Sequence, residues 1–130
     1  MNKKELEERT RGFALEVIVF VGALPKNRLA DILGKQLLRA GTSIGANYRE
    51  ANRAESRQDF HHKIALVEKE AAETLYWLQL CRDSHLGDSR ACETLLGEAD
   101  QLLAIFTAVG KNTSSTPYPQ VKEEIPDSFA

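Results

Sequence analysis

The sequence predicts an all-α protein, an up-down-up-down antiparallel four-helix bundle. Apolar residues recur at alternating spacings of three and four residues in four segments, which is typical of helices packed at shallow angles. Short polar breaks separate the segments, and short connections make neighbouring helices antiparallel. No stretch alternates with a period of two for long enough to predict a strand. The 130 residues suffice for one domain with its own core.

The four apolar seams follow one another along the chain. The first runs from Leu6 to Leu24, the second from Ala30 to Ala54, the third from Phe60 to Cys81 and the fourth from Cys92 to Val109. Residues that commonly end or begin helices stand at the breaks. They are Pro25, Asn27, Ser56, Asp59, Gly87, Asp88 and Ser89.

We expect residues 1–112 to form the bundle and residues 113–130 to form an extended tail. Three of the four prolines lie in this tail, together with several serines and threonines and little apolar periodicity. The tail also contains Tyr118, Val121, Ile125 and Phe129, which could dock onto the bundle or a neighbour.

The composition excludes several classes of protein. The 17 Lys and Arg against 19 Asp and Glu give a formal net charge of −2, which excludes a strongly cationic nucleic-acid-coating protein but permits a local basic patch. Two cysteines, Cys81 and Cys92, are too few for a disulfide scaffold and match no zinc module. We see neither a signal peptide nor a membrane-spanning run. We therefore expect a cytoplasmic protein with reduced thiols and no membrane partner.

The sequence offers little for catalysis. A di-iron site in a bundle needs two Glu-x-x-His motifs, and none of the three histidines follows a glutamate by three residues. Phosphate-binding loops, dinucleotide fingerprints and zinc-protease motifs are also missing. Both cysteines lie on apolar seams, where a thiol usually packs as a small hydrophobe. We expect no catalytic residues, no metal ion and no cofactor.

A basic stripe follows the second predicted helix. At 100° per residue, six cations fall within an arc of about 80° opposite the apolar seam. They are Arg28, Lys35, Arg39, Arg49, Arg53 and Arg57. The planar guanidinium fork suits phosphate, so this stripe could bind structured RNA. The alternative is a solvated outer face, which the lack of base-stacking aromatic residues on the stripe favours.

The first and third helices are apolar on more than one side. The residues that lie away from their seams are Leu15, Ile18, Val19, Leu66, Tyr76, Trp77 and Leu80. A helix that is apolar nearly all round is buried on more than one side, and Trp and Tyr are enriched at interfaces. These residues predict a homo-oligomer interface. The alternative is a broad core face with scattered exposed residues.

The second seam contains polar and small residues. Asn47 occupies a predicted seam position, and Glu50 and Glu73 lie near seam edges. These three residues could form a buried polar network that fixes helix register, which we favour over a catalytic carboxylate pair. Gly41 and Gly45 indicate either close approach of two helices or a kink, and we favour close packing with a mild kink.

The run from Gly41 to Leu80 resembles the small bacterial four-helix-bundle proteins linked to intervening sequences in 23S rRNA genes. A Ser-Ile-x-Ala-Asn-x-x-Glu core is matched from Ser43 to Glu50, and a Lys-Glu-Ala-x-Glu-Thr-x-Tyr-Trp-Leu segment is matched from Lys69 to Leu78. Gly45 departs from the pattern, because many relatives have Pro there. The resemblance implies a bundle that assembles as a ring, typically a pentamer. A related branch, the accessory variability determinant proteins of diversity-generating retroelements, contacts nucleic acid through a basic surface.

We therefore expect a non-enzymatic homo-oligomer, with a pentamer favoured, that binds structured RNA or a ribonucleoprotein through the basic stripe. A second hypothesis is a protein-protein adaptor with no role in nucleic-acid binding, which the near-neutral charge favours. An enzyme that uses carboxylates or histidines ranks last.

Overall fold

The computed structural model describes residues 1–113, which form four helices. These are α1 (Lys3–Gly22), α2 (Arg28–Ala51), α3 (Arg57–Asp83) and α4 (Ser89–Thr113). Each helix packs against its neighbours in sequence, and α1 also packs against α4, which closes the bundle. The all-α four-helix bundle predicted from the sequence is confirmed. The predicted tail falls, apart from Thr113, outside the described residues.

Side-chain caps begin the helices where the sequence predicts them. Asn27, Ser56 and Asp88 each accept a hydrogen bond from the backbone N–H three residues ahead, at 2.8, 3.0 and 2.8 Å. At the start of α1, Asn2 and Glu5 form a reciprocal capping box that the sequence analysis did not identify. These bonds satisfy N–H groups that have no partner within their own helix.

The turn after α3 combines two residues with positive φ. His85, at φ 58°, occupies the left-handed position after the helix, and the Leu86 N–H donates to the Cys81 carbonyl at 2.8 Å. This is the hydrogen bond of a Schellman motif. Gly87 follows at φ 87°, and a Cβ there would lie 2.7 Å from Phe20 Cζ. Both the backbone conformation and the space therefore require glycine at the predicted turn position.

The core lies along the axis of the bundle and takes residues from all four helices. Phe13, Ile44, Ile64 and Phe106 are each at most 2% exposed. Tyr48 is also buried, and its ring meets the edge of Phe106 at a centroid distance of 5.1 Å. Within residues 1–113, no helix is both long and apolar enough to cross a membrane.

The helices α1 and α2 approach closely where α2 has glycine. A Cβ at Gly41 would lie 3.0 Å from Val17 Cγ2, and a Cβ at Gly45 would lie 3.1 Å from Thr10 Oγ1. Val17 and Thr10 are both fully buried. Of the two interpretations of these glycines, the structure shows the close approach.

We predict that Gly41→Ala lowers the free energy of unfolding by about 1 kcal/mol. Overpacking against the stiff, buried Val17 costs about 1–3 kcal/mol, and the better helix propensity of alanine returns only about 1 kcal/mol. Urea denaturation followed by circular dichroism measures the difference. Gly97→Ala is the matched control, because a Cβ there meets no atom within 4 Å, and it should raise stability by up to about 1 kcal/mol. Equal effects of the two substitutions would contradict the packing argument.

Candidate nucleic-acid interface

The six cations of the basic stripe do not share one helix. Arg28, Lys35, Arg39 and Arg49 lie on the exposed side of α2, but Arg53 lies in the α2–α3 connection and Arg57 is the first residue of α3. The prediction that the second helix continues to Ala54 is wrong. The N–H groups of Arg53 and Ala54 bond to carbonyls three residues back, at 3.0 Å each, and this tighter turn ends α2.

Arg39 joins α2 to α3. Its Nη1 lies 3.3 Å from Glu70 Oε1, and its Nη2 contacts Glu73. The side chain of Arg39 is 49% exposed, so this is a surface cluster of charges. The helical wheel placed Arg39 in the stripe, but it could not show that two carboxylates of α3 lie beside it.

Arg49 joins α2 to the start of α1. Its guanidinium lies 3.6 Å from a Glu7 oxygen and 3.9 Å from a Glu8 oxygen. Glu7 also accepts a hydrogen bond from the Asn52 side-chain amide at 2.9 Å. Acidic side chains from two neighbouring helices therefore reduce the positive potential at two of the six predicted cations.

Three cations of the stripe have no such neutralising partner. The side chains of Arg28, Lys35 and Arg53 are exposed and make no hydrogen bond or ion pair with another residue of the described range 1–113. Arg28 and Lys35 lie near the start of α2, whereas Arg53 lies beyond its end, about 35 Å or more from Arg28 at 1.5 Å per residue. The structure thus divides the stripe into two separate groups.

The predicted buried polar network of Asn47, Glu50 and Glu73 is wrong. Glu50 is exposed, Asn47 is half-buried, and neither forms a hydrogen bond with Glu73, which pairs with Arg39. Tyr48 takes the inward position that was assigned to Asn47, because its ring packs against Phe106 of α4. The polar cluster at this end of α2 is instead Arg49 and Asn52 with Glu7.

Most residues of the predicted oligomer interface are exposed. Leu15, Ile18, Val19, Leu66 and Tyr76 lie on outer faces of α1 and α3, with Val19 the most exposed at 72%. Leu80 is half-buried. Trp77 is also half-buried and packs against the core, so it is only partly available to a neighbour.

Two exposed apolar residues of α2 were missed by the sequence analysis. Leu29 and Ile32 are 51% and 56% exposed. Both could have been noticed on the helical wheel, where Ile32 lies about 40° from Arg28, just outside the arc of the cations. With Leu15, Ile18, Val19, Tyr76, Trp77 and Leu80 they form what we call the apolar half, the part of the bundle that contains the end of α1, the start of α2 and the end of α3.

Comparison with known proteins identifies the family. The model of the 23S rRNA-intervening sequence protein family matches residues 3–108. The chain belongs to this family. It is 32% identical to a protein of unknown function from the S23 ribosomal protein family of Bacteroides thetaiotaomicron, with a TM-score of 0.76. The match covers 85% of this chain and 99% of that one. A comparison with curated proteins found no match.

A groove of about 490 Å³ lies between α1 and α4 of this family member. Arg9 of α1 connects to α4 along this groove, with its Nε 2.6 Å from Glu98 Oε2 and its Nη2 2.8 Å from Gln101 Oε1. The described residues that line the groove include no Ser, Cys or His. Across residues 1–113, no three His, Cys, Asp or Glu side chains group in a way that could hold a metal ion.

The two thiols are buried in the core, as their seam positions predict. Cys81 and Cys92 are at most 1% exposed, and the Cys92 thiol donates to the Leu78 carbonyl at 3.4 Å. Burial raises the pKa of Cys81 to about 11 and also raises the pKa of Cys92. Both thiols are therefore protonated at neutral pH, which makes them poor nucleophiles.

We predict that the raised pKa of Cys81 makes the protein lose stability at alkaline pH. The folded state favours the protonated thiol, so its contribution is fully present below pH 9, the ordinary thiol pKa, and is lost as the pH rises to 11. That pKa difference corresponds to at most roughly 3 kcal/mol in the free energy of unfolding. Urea denaturation from pH 7 to 11 should show a smaller decrease in the free energy of unfolding for Cys81→Ala than for the wild type. If the free energy of unfolding changes with pH in the same way in the wild type and in Cys81→Ala, the loss of stability does not come from the Cys81 thiol.

Proposed function

We propose that this protein is a non-enzymatic helical bundle that assembles as a homo-oligomer, as a pentamer in the form we favour, and binds structured RNA or a ribonucleoprotein. The observation that carries the RNA proposal is the group of three arginines around the α2–α3 connection, Arg49, Arg53 and Arg57. We call them the basic turn. They are exposed and lie within nine residues of one another at one end of the bundle.

The acidic neighbours of the basic turn do not prevent phosphate binding. The Arg49 side chain is 48% exposed, and an ion pair at such a site contributes about 0–1 kcal/mol. A phosphate accepts two parallel hydrogen bonds from a guanidinium and can replace a carboxylate at small cost. Arg53 makes no ion pair within residues 1–113, so its side chain is available without any exchange.

Assembly would multiply this modest basic surface. A near-neutral subunit with three arginines binds RNA weakly by itself, but several copies in one assembly act together at high effective concentration. The apolar half supplies the contact surface that such an assembly needs. The family name, which refers to 23S rRNA, is consistent with an RNA ligand but does not state one.

An adaptor that binds only proteins is the second candidate function. The carboxylates beside Arg39 and Arg49 favour it, because they lower the positive potential that RNA would meet. The apolar half would then bind a different protein instead of a second copy.

We predict that R49E/R53E/R57E abolishes binding to structured 23S rRNA fragments. The substitutions reverse all three charges of the basic turn, and fluorescence anisotropy across a salt series measures the affinity. A milder variant, R53Q/R57Q, should lower the dependence of log affinity on log salt by about 2, because two phosphate contacts are lost. Circular dichroism verifies that both variants fold.

The matched control is K26E/R82E/R90E, which makes the same change in net charge at exposed positions near the opposite end of the bundle. It should retain RNA affinity. Equal losses in the two triple variants would show that overall charge alone governs binding. If R49E/R53E/R57E binds RNA with the wild-type affinity, the basic turn is not the RNA-binding surface. The protein-protein adaptor is then the better candidate function.

We predict that V19E/I32E converts the oligomer to a monomer. Each substitution places a carboxylate in an apolar contact, and the cost of desolvating an unpaired charge should weaken association by about 100-fold or more. Sedimentation equilibrium at micromolar concentration measures the mass. Ala104→Glu, on the exposed side of α4, is the control and should leave the mass unchanged. A monomeric wild type would contradict the proposed assembly.

A further inference from the structure

We propose that one kind of contact joins the copies: the outer ridge of α1 in one copy packs on the α2–α3 side of the next. This inference rests on the homo-oligomer proposed above and specifies how its subunits meet. The α1 ridge consists of three exposed side chains, Leu15, Ile18 and Val19. The surface that receives it, the α2–α3 patch, consists of the other five residues of the apolar half, Leu29, Ile32, Tyr76, Trp77 and Leu80.

The α1 ridge is a single row of side chains that points out of the bundle. Its residues are spaced by three and four positions, which places them on one side of a helix. Leu15 stands two residues from both of the buried side chains Phe13 and Val17, so it lies on the opposite side of α1 from the core. In residues 1–113, α1 packs against α2 and α4 but not against α3, which places α3 diagonally across the bundle. The ridge therefore points away from α3.

The α2–α3 patch lies between two antiparallel helices. The ion pair of Arg39 with Glu73 fixes their register. Ile32 precedes Arg39 by seven residues and Leu80 follows Glu73 by seven, which is nearly two full helical turns in each case. Both side chains therefore lie level with each other, on the same outer side of the bundle as the ion pair.

The two patches face different directions, which determines how both can be buried. In an idealised square bundle, the outward corner at α1 and the side formed by α2 and α3 differ in direction by about 135°. A symmetric contact between like patches would bury one patch and leave the other in water. Contact between the α1 ridge of one copy and the α2–α3 patch of the next buries both patches with a single kind of interface. A second copy of this chain is therefore a partner that covers the whole apolar half.

The shapes and areas of the two patches also match. The ridge of a single helix fits the shallow groove between two helices, which is the usual way in which helices pack. From the exposed fractions of its residues, each patch offers roughly 300 Å² of apolar surface, about the size of the largest such patch on a typical monomer. Together with a polar rim, the contact would bury on the order of 1,000 Å², near the lower limit for a specific interface.

This contact would also order the basic surface of the assembly. A contact between unlike surfaces forms a ring when its rotation closes, and equivalent groups of a ring lie in one plane. All copies of the basic turn would then lie on the same rim, where one RNA molecule can reach several of them.

Mixing two variants of the full-length chain tests the pairing of the patches. V19E places a carboxylate on the α1 ridge and leaves the α2–α3 patch intact, whereas I32E does the reverse. Because each contact needs one intact patch of each kind, either variant alone should be monomeric at the micromolar concentration at which the wild type is assembled. An equimolar mixture should form a heterodimer of about 29 kDa, twice the 14.5 kDa of one chain, at least about tenfold more tightly than either variant self-associates. Sedimentation equilibrium measures the association, and native mass spectrometry identifies the heterodimer because the two substitutions change the chain mass differently.

The matched control is a mixture of V19E with V19E/I32E. This mixture contains the same two substitutions, but its only intact patches are α2–α3 patches, so it should stay monomeric. Circular dichroism verifies that all three variants fold, which we expect because Val19 and Ile32 are both exposed.

The outcomes separate this inference from the proposed homo-oligomer. If the wild type is oligomeric but the two single variants do not form the heterodimer, the pairing of the patches is overturned and the homo-oligomer stands. A homodimer of either single variant would show contact between like patches and would also overturn the pairing. A monomeric wild type would overturn the homo-oligomer together with this inference.

Discussion

The close contact between α1 and α2 is the constraint on which the rest of the bundle depends. Gly41 and Gly45 remove the side chains that would hold the two backbones apart, and the buried Val17 and Thr10 fill the space. Thr10 can be buried because its hydroxyl bonds within its own helix, to the Leu6 and Glu7 carbonyls at 3.0 Å each. Helices that interlock this tightly cannot slide, so the contact fixes their register.

That register determines the electrostatics of the candidate interface. With Gly45 opposite Thr10, the next turn of α2 brings Arg49 beside Glu7 and Glu8. On the other side of α2, packing against α3 brings Arg39 beside Glu70 and Glu73. The two arginines are thus held by different neighbouring helices. The positive potential of this surface therefore depends on how the helices pack, and the sequence of α2 alone predicts too high a potential.

Features that depend on residues close together in the sequence could be predicted, whereas features that depend on contacts between distant residues could not. The seams and the caps at Asn27, Ser56 and Asp88 depend on residues within a few positions, and they could be predicted. The choice between Asn47 and Tyr48 at the inward position could not, because both fit a spacing of three or four. The ring of Phe106, 58 residues beyond Tyr48, decides it.

Errors at the candidate site have the same origin. A helical wheel assumes that the helix continues, so it carried the stripe past Ala51 into the connection and on to Arg57. It also shows only the residues of its own helix, so it could not reveal the carboxylates that face Arg39 and Arg49. Leu29 and Ile32 were overlooked because both lie beside the arc of the cations, and only the cations and the apolar seam of α2 were considered.

The separation of apolar and basic surfaces connects assembly to binding. Of the eight exposed large apolar side chains of residues 1–113, six lie in the apolar half, whereas the basic turn lies at the opposite end of α2. In the proposed homo-oligomer, burying the apolar half between subunits would leave every basic turn accessible, and a symmetric assembly would present it once per subunit. Because acidic neighbours weaken each copy of the basic turn, the proposed RNA affinity would depend steeply on the number of subunits. Assembly would control binding more strongly than any single arginine.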